Sequence, residues 1–446
     1  METSSSLAAS PRENTKPKAV AGADKHIWGI VIALCLVSVI ELYSASSREV
    51  AASAIGVMGP ILRHLVMLAG GLFVVWLLSK RHYSEFAVFT LVFAAISAGL
   101  MIYVMFCGDY INGARRSLTI LGIGIFPAEM VKLSAVLLVA LIMTLNQNPK
   151  GVGITAKGMI LCCVVLMFFC ALLATQGLTN TMLLVAITAS MMLIGGVKFS
   201  HICYAALVFL MLGGGLFAYL YFTEYVPWQE AQEQRRLHPE LVVEGEEEVK
   251  NSSRIVTWMA RLERHSADSV PKWELPATGD NRQEVLSYVA QAHGGITGVG
   301  PGNSREAARL PLAFSDYIYA IVIEELGLIG GIAVLLLYLW LLGRAAGIAS
   351  RCSVTYPALL VMGMAVMIAF QALFHMGIVT GVFPVSGQPL PLISKGGTSI
   401  IVTCIAFGIM LSVSRTATRK ANKKQDIRDE IEALPDSLNG ENRMQL

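Results

Sequence analysis

Charge is what this sequence has least of. Of its 446 residues, 15% are Asp, Glu, Lys or Arg, where an ordinary soluble chain carries about 25%. That shortage excludes a protein that keeps itself in water by covering its surface with ions. Metal patterns are missing too. The eight cysteines are Cys35, Cys107, Cys162, Cys163, Cys170, Cys203, Cys352 and Cys404, nearly all inside apolar runs. They form no CxxC or Cys/His spacing and no exposed pair, so neither a cysteine metal site nor a disulfide framework is expected. They read as small apolar helix residues. The Gly-rich stretch GGITGVGPGN, 294–303, lacks the GxxxxGK[ST] spacing of a phosphate loop. No cleaved leader is expected either: the first 26 residues are polar and basic, and the apolar run behind them is long. A formal net charge of +3 says little about partners, and nucleic acid is not among those expected.

What the sequence does have is apolar runs near the length of about 20 residues that crosses a bilayer as a helix. Ten are counted, at 27–45, 57–79, 85–106, 128–146, 157–175, 180–196, 201–223, 316–343, 355–378 and 398–414. The expected fold is all-α and polytopic: a tail over 1–26, a ten-helix core over 27–415, and a second tail over 416–446. Lys and Arg in the short loops, among them Lys25, Lys80, Arg81, Lys198, Arg344, Arg351 and Arg415, all fall on one side. The positive-inside rule makes that side cytoplasmic, with both termini there. Two external segments are unusual. The loop 224–315 is long and polar, contains the acidic run EGEEEVK, and offers an amphipathic pattern at Ile255, Trp258, Met259 and Leu262. The segment 377–399 is apolar yet too rich in Pro and Gly for a regular helix. Such backbone must be buried in protein or line a cavity.

Charges outside the positive-inside pattern are the candidates for chemistry. Arg115 and Arg116 are external, and so is Lys395, beside Gly396 and Gly397 and preceded by Ser394. Arginine forks and glycine-exposed amides suit a phosphate or pyrophosphate; interfacial arginines that reach lipid headgroups are the equal alternative. Glu129 and Lys132 share a helix face at i, i+3 and are expected to pair in the bundle. They either fix packing or floor an external cavity. Asp316 stands at the expected external start of the eighth span. It is a helix cap or, near fixed cations in a partly apolar surround, a general base. Glu324 and Glu325 point elsewhere round that helix and are expected to be structural, paired with Lys132 or capped by hydroxyls. His375 reads as a packing residue. Asn251–Ser253 matches a glycosylation triplet that is common by chance.

Five stretches together, NGARRSL, FPAEMVKLSA, GGITGVGPGNS, LPLAFSDYIYAIVIEELGLIGG and LPLISKGGTS, resemble the SEDS family of bacterial cell-wall polymerases. The resemblance is closer to its division branch than to its elongation branch. It covers nearly everything but the tails and part of the long loop. It implies a peptidoglycan glycosyltransferase that joins lipid II units at the outer face of the cytoplasmic membrane, at the division septum, and releases undecaprenyl pyrophosphate. It implies Asp316 as the essential carboxylate, with Arg115, Arg116, Ser394, Lys395, Gly396 and Gly397 around the substrate and Glu129 with Lys132 as a cavity ion pair. A single-span class B penicillin-binding transpeptidase and other division proteins are the implied partners. Lys395 or a divalent cation, Mg or Mn, are further candidates for the pyrophosphate. Leu312 stands where many members have Glu, Phe314 where many have His, and Lys395 where Tyr is usual. These departures put an auxiliary acid at 312 in doubt. A flippase for the same lipid, or a scaffold without activity, stays open beside the enzyme.

Overall fold

Helix forms wherever a run of apolar residues must satisfy its backbone without water. The computed structural model describes residues 22–45, 58–111, 114–120, 123–148, 153–237, 254–266, 277, 281–310 and 313–432. The N-terminal tail to residue 21, the acidic run 244–250, the triplet 251–253, Leu312 and the end from residue 433 lie outside them. In chain order come α1 (Lys25–Ala45), α2 (Met58–Ser79) and α3 (Tyr83–Cys107). Strands β1 (Asp109–Ile111), β2 (Ala114–Ile120) and β3 (Ile123–Ile125) follow, then α4 (Pro127–Leu145), α5 (Ala156–Ala174), α6 (Leu178–Ile194) and α7 (Phe199–Leu220). The long external loop holds three helices, α8 (Val226–Leu237), α9 (Arg254–Ser266) and α10 (Arg282–Gly294). The chain closes with α11 (Ile318–Ala349), α12 (Thr355–Val379) and α13 (Gly397–Glu432).

Among the described residues nine helices are long and apolar enough to span a membrane, and α6 is a shorter apolar helix between Leu178 and Ile194. The ten expected spans are thus present, the sixth of them short. One departure from pure helix is a three-stranded antiparallel sheet, in the order β1-β2-β3. The last helix also runs on to Glu432, past the expected start of the tail at 416.

Helices α4, α12 and α13 are the buried centre. Helices α3, α5 and α7 turn large apolar side chains outward, including Val88, Phe89, Val164, Leu210 and Met211. An apolar outer surface of this kind needs lipid tails, not water. Small residues let helices close up. A Cβ on Gly71 would meet Cys404 Sγ at 2.6 Å, and one on Gly408 would meet Leu78 Cβ at 2.7 Å, so α2 and α13 touch almost backbone to backbone. One end of the bundle is fastened by polar contacts. Asp24 accepts from Arg344 Nε at 2.8 Å, Ser412 Oγ donates to the Arg81 carbonyl at 2.7 Å, and Arg415 Nη1 donates to the Ser79 carbonyl at 3.3 Å. Arg81, Arg344 and Arg415 therefore gather at that end.

The eighth span does not begin at Asp316. The 32 residues of α11 would measure about 48 Å as one straight helix, well over a hydrocarbon core of about 30 Å. The helix breaks instead at Gly327, whose φ is 72° and ψ −178°. Tyr319 Oη donates to the Gly331 carbonyl at 3.1 Å, although twelve residues of straight helix would separate them by about 18 Å. A Cβ on Gly331 would also meet Ile323 Cγ1 at 2.9 Å. Residues 318–326 are thus a short helix folded back on the start of the true span, which runs from Leu328 for about 33 Å. This reversal carries Asp316 away from the end of the span and into the bundle. The Pro- and Gly-rich segment behind α12 meets it there. Tyr338 Oη donates to the Pro391 carbonyl at 2.6 Å, Ser38 Oγ to the Ile393 carbonyl at 3.2 Å, and the Lys395 amide to the Phe314 carbonyl at 2.9 Å.

Gly327 is the hinge of that arrangement. A Cβ there would stand 2.2 Å from the Ile296 carbonyl oxygen, and its left-handed φ disfavours any side chain. We expect Gly327→Ala to destabilise the protein by roughly 2 kcal/mol or more, read as a lower thermal midpoint in detergent. Gly343→Ala, whose Cβ would meet nothing within 4 Å, should leave the midpoint unchanged.

Candidate active site

A strand sends consecutive side chains to opposite faces. Strand β2 therefore separates the two adjacent arginines. Arg116 lines a cavity of about 410 Å³. Arg115 is exposed and lies outside that lining; its carbonyl accepts from Gln176 Nε2 at 2.7 Å, which ties the sheet to the start of α6. The two arginines do not act as one fork. The sheet is held to the bundle by Thr398, which accepts from the Phe126 amide at 3.1 Å and donates to the Gly124 carbonyl at 3.0 Å.

Asp316 lines the same cavity. It is not a helix cap: Tyr317 holds the N-cap position and no side chain caps the helix. Its Oδ1 accepts from Ser315 Oγ at 2.9 Å. Opposite stands Gly387, where a Cβ would be 3.2 Å from Asp316 Oδ2 and 3.6 Å from Arg116 Nη1. A residue without a side chain thus leaves carboxylate and guanidinium facing one point. Asp316 precedes the spanning segment, and burial pushes its carboxyl above the usual carboxylate range. The Ser315 hydroxyl, Arg116 and Arg261 pull the other way.

The other candidates divide. Lys395 and Gly396 line the cavity, with Lys395 Nζ 5.1 Å from the centre of the Phe314 ring. Ser394 is buried and structural: its hydroxyl accepts from the Leu390 amide and donates to the Ser315 carbonyl, both at 2.7 Å. Gly397 begins α13 and is not part of the lining. Glu129 and Lys132 pair at 2.8 Å as their spacing requires. Glu129 lines the cavity and Lys132 lies beneath it, fully buried. Lys132 Nζ also donates to Gln371 Oε1 at 3.3 Å and Gln388 Oε1 at 3.4 Å. Gln388 Nε2 in turn donates to Asn180 Oδ1 at 2.9 Å, and its carbonyl meets His375 Nδ1 at 2.6 Å. His375 is thus buried packing with one polar tether. Lys132 therefore locks together α4, α12 and the 384–389 segment that carries Gly387.

Glu324 and Glu325 do not reach Lys132. Glu324 accepts from the Ser304 hydroxyl, and from the amides of Arg305 at 3.0 Å and Glu306 at 3.4 Å. Glu325 accepts from the amides of Gly302 at 3.0 Å and Ser304 at 3.4 Å. The Gly-rich loop is the sleeve around the two carboxylates of the folded-back helix.

Sequence reading missed Arg261. The apolar spacing at Ile255, Trp258, Met259 and Leu262 located α9, but not what its polar flank faces. Arg261 lines the cavity, and its Nη1 donates to the Val385 carbonyl at 3.1 Å. Gln388 and Asn180 were missed as well, because nothing in a local pattern joins α6 to the segment before α13. Phe126, Leu178, Phe217, Trp258, Leu262 and Phe314 give the cavity its apolar wall.

A family model described as a cell cycle protein, built on FtsW, RodA and SpoVE, matches residues 24–419. The probable peptidoglycan glycosyltransferase FtsW of Trichlorobacter lovleyi is 28% identical over 404 residues, which is 90% of this chain and 95% of that protein. The peptidoglycan glycosyltransferase MrdB of Escherichia coli K12 is 26% identical over 391 residues, 86% of this chain and 91% of that one. Among solved structures, Thermus thermophilus RodA superposes with a TM-score of 0.58 at 20% identity, covering 90% of this chain and 98% of RodA. A chain from a peptidoglycan synthase complex that coordinates polymerization and crosslinking gives a TM-score of 0.62 at 22% identity, covering 89% and 98%. These two share the fold.

The buried pair yields a prediction. Lys132→Met leaves Glu129 without its cation and should cost about 3 kcal/mol, measured by unfolding in mixed micelles. The Glu129→Gln, Lys132→Met double variant should cost less than Lys132→Met alone, because no lone charge remains.

Proposed function

The chain belongs to the FtsW, RodA and SpoVE family of cell cycle proteins, and from that premise we propose that it is a peptidoglycan glycosyltransferase. Its substrate is lipid II, which it polymerises into glycan strands at the outer face of the cytoplasmic membrane, at the division septum. The basic end of the bundle, with Arg81, Arg344 and Arg415, is the cytoplasmic end, and both termini lie there. One observation carries the reading: of the two carboxylates that line the apolar-walled cavity, Glu129 is paired with Lys132, and the other, Asp316, shares the cavity with Arg116 and Lys395 from two other segments.

Asp316 is the general base. It takes the proton from the C4 hydroxyl of the acceptor N-acetylglucosamine, and that oxygen attacks C1 of the donor N-acetylmuramic acid. The C1–O bond to pyrophosphate breaks, and Arg116 and Lys395 meet the leaving charge. An α-linked donor and a β-linked product need one inversion, hence one base and no covalent intermediate. Apolar walls suit polyprenyl tails. The cavity's residues do not suit a protein-built metal centre. Glu129 is already engaged by Lys132, and no cluster of three or more His, Cys, Asp or Glu among the described residues could hold an ion. No step is routed through a metal. The partners are a single-span class B penicillin-binding transpeptidase, which crosslinks the new strand, and other division proteins.

A flippase would need a polar path across the bundle. Below Lys132 the buried face of α4 continues without a charge, as Leu133, Val136, Leu137, Val139, Ala140 and Met143, with Ser134 as its polar member up to Met143, bonded to Ser97, which favours the enzyme.

The protein purified with its transpeptidase and given labelled lipid II should make a glycan ladder, and folded Asp316→Asn should make none. A ladder from both would remove Asp316 from catalysis. The raised carboxyl of Asp316 also sets a pH dependence. Below that value the base is protonated and idle, so the rate should fall with falling pH at a point above the ordinary carboxylate value near pH 4. A flat rate down to about pH 4 would contradict this.

A further inference from the structure

We propose that Arg261, carried by α9 of the long external loop, is a catalytic residue that contacts the pyrophosphate diester of the lipid-linked donor. This rests on the glycosyltransferase reading and adds a group to it. Helix α9 is held over the cavity by a small apolar cluster of its own, in which Ile255 and Val256 pack on Tyr225. The Tyr225 hydroxyl bonds to Glu263 on the same helix. With that face fixed, Arg261 falls on the cavity side, one turn beyond Trp258. Its Nη1 donates to the Val385 carbonyl, two residues before the glycine that faces both Asp316 and Arg116.

Two features call for an anion here. Arg116 and Arg261 lie close enough that each opposes the other's charge, a cost that a bound dianion offsets. Two polar atoms of the same cavity, Arg116 Nε and Ser386 Oγ, are buried without a hydrogen-bond partner, and buried polar groups ordinarily have one. A pyrophosphate diester supplies both needs, two negative charges and several acceptor oxygens. In the transfer, the bond from the acceptor O4 to donor C1 forms as the bond from C1 to the pyrophosphate oxygen breaks. The proton goes to Asp316, and the electron pair goes to the oxygen that Arg261 meets.

The test uses the protein with its transpeptidase in nanodiscs. Arg261→Gln keeps a donor for Val385 and removes the charge, and Arg261→Lys keeps a charge without the fork. Arg261→Gln should hold its thermal midpoint, bind undecaprenyl pyrophosphate at least about tenfold more weakly, and lose kcat. Its acid limb should move to higher pH, because Arg261 favours ionised Asp316. Arg261→Lys should recover part of both binding and rate. Wild-type affinity and rate in Arg261→Gln, or a loss traced wholly to a lowered midpoint, would overturn the assignment while leaving the polymerase reading intact. A wild type that neither polymerises lipid II nor binds undecaprenyl pyrophosphate would remove both.

Discussion

Glu324 and Glu325 hold the site in place without entering it. Two carboxylates in an apolar bundle must be given hydrogen bonds. Here the backbone amides of residues 302–306 provide them. Those bonds press the Gly-rich loop against the folded-back helix, and Gly327 makes the close approach sterically allowed. Everything at the cavity follows from this reversal. Without it, Asp316 would sit at the end of a straight span. With it, the carboxylate is carried inward to meet Gly387 and Arg116.

The cavity is accordingly assembled from segments far apart in the chain. The sheet supplies Arg116, the turn that leads into the folded-back helix supplies Asp316, the segment before α13 supplies Lys395 and Gly387, and the external loop supplies Arg261. Lys132 stands beneath as a buried post, bonded to Glu129, Gln371 and Gln388. Breaking a buried ion at such a junction shifts several walls at once, so the pair belongs to the site even though Lys132 does not line it. The apolar wall raises the energy of ionised Asp316, and the nearby guanidiniums lower it. That balance is what a base working near neutral pH requires.

Much of this was legible in the sequence, and for local reasons. Span length, the i, i+3 spacing of Glu129 and Lys132, and the apolar stripe of α9 are all set by neighbouring residues. Where the sequence misled, a nonlocal contact decided. Two adjacent arginines look like one anion clamp until a strand turns them apart. Asp316 before an apolar run looks like a cap until the run breaks eleven residues later. Glu324 and Glu325 are structural as their positions suggest, but of the two partners open to them, a buried lysine or hydroxyls, it is the Ser304 hydroxyl together with loop amides that holds them. Arg261 carries no local signal of its purpose, since its target lies on a segment more than a hundred residues away.

A structure of the Asp316→Asn protein with lipid II bound tests the role of Asp316 most directly. The acceptor sugar should place its C4 hydroxyl within hydrogen-bond distance of residue 316, with the donor pyrophosphate beside Arg116. Sugars seated elsewhere, with residue 316 contacting only protein, would contradict that role.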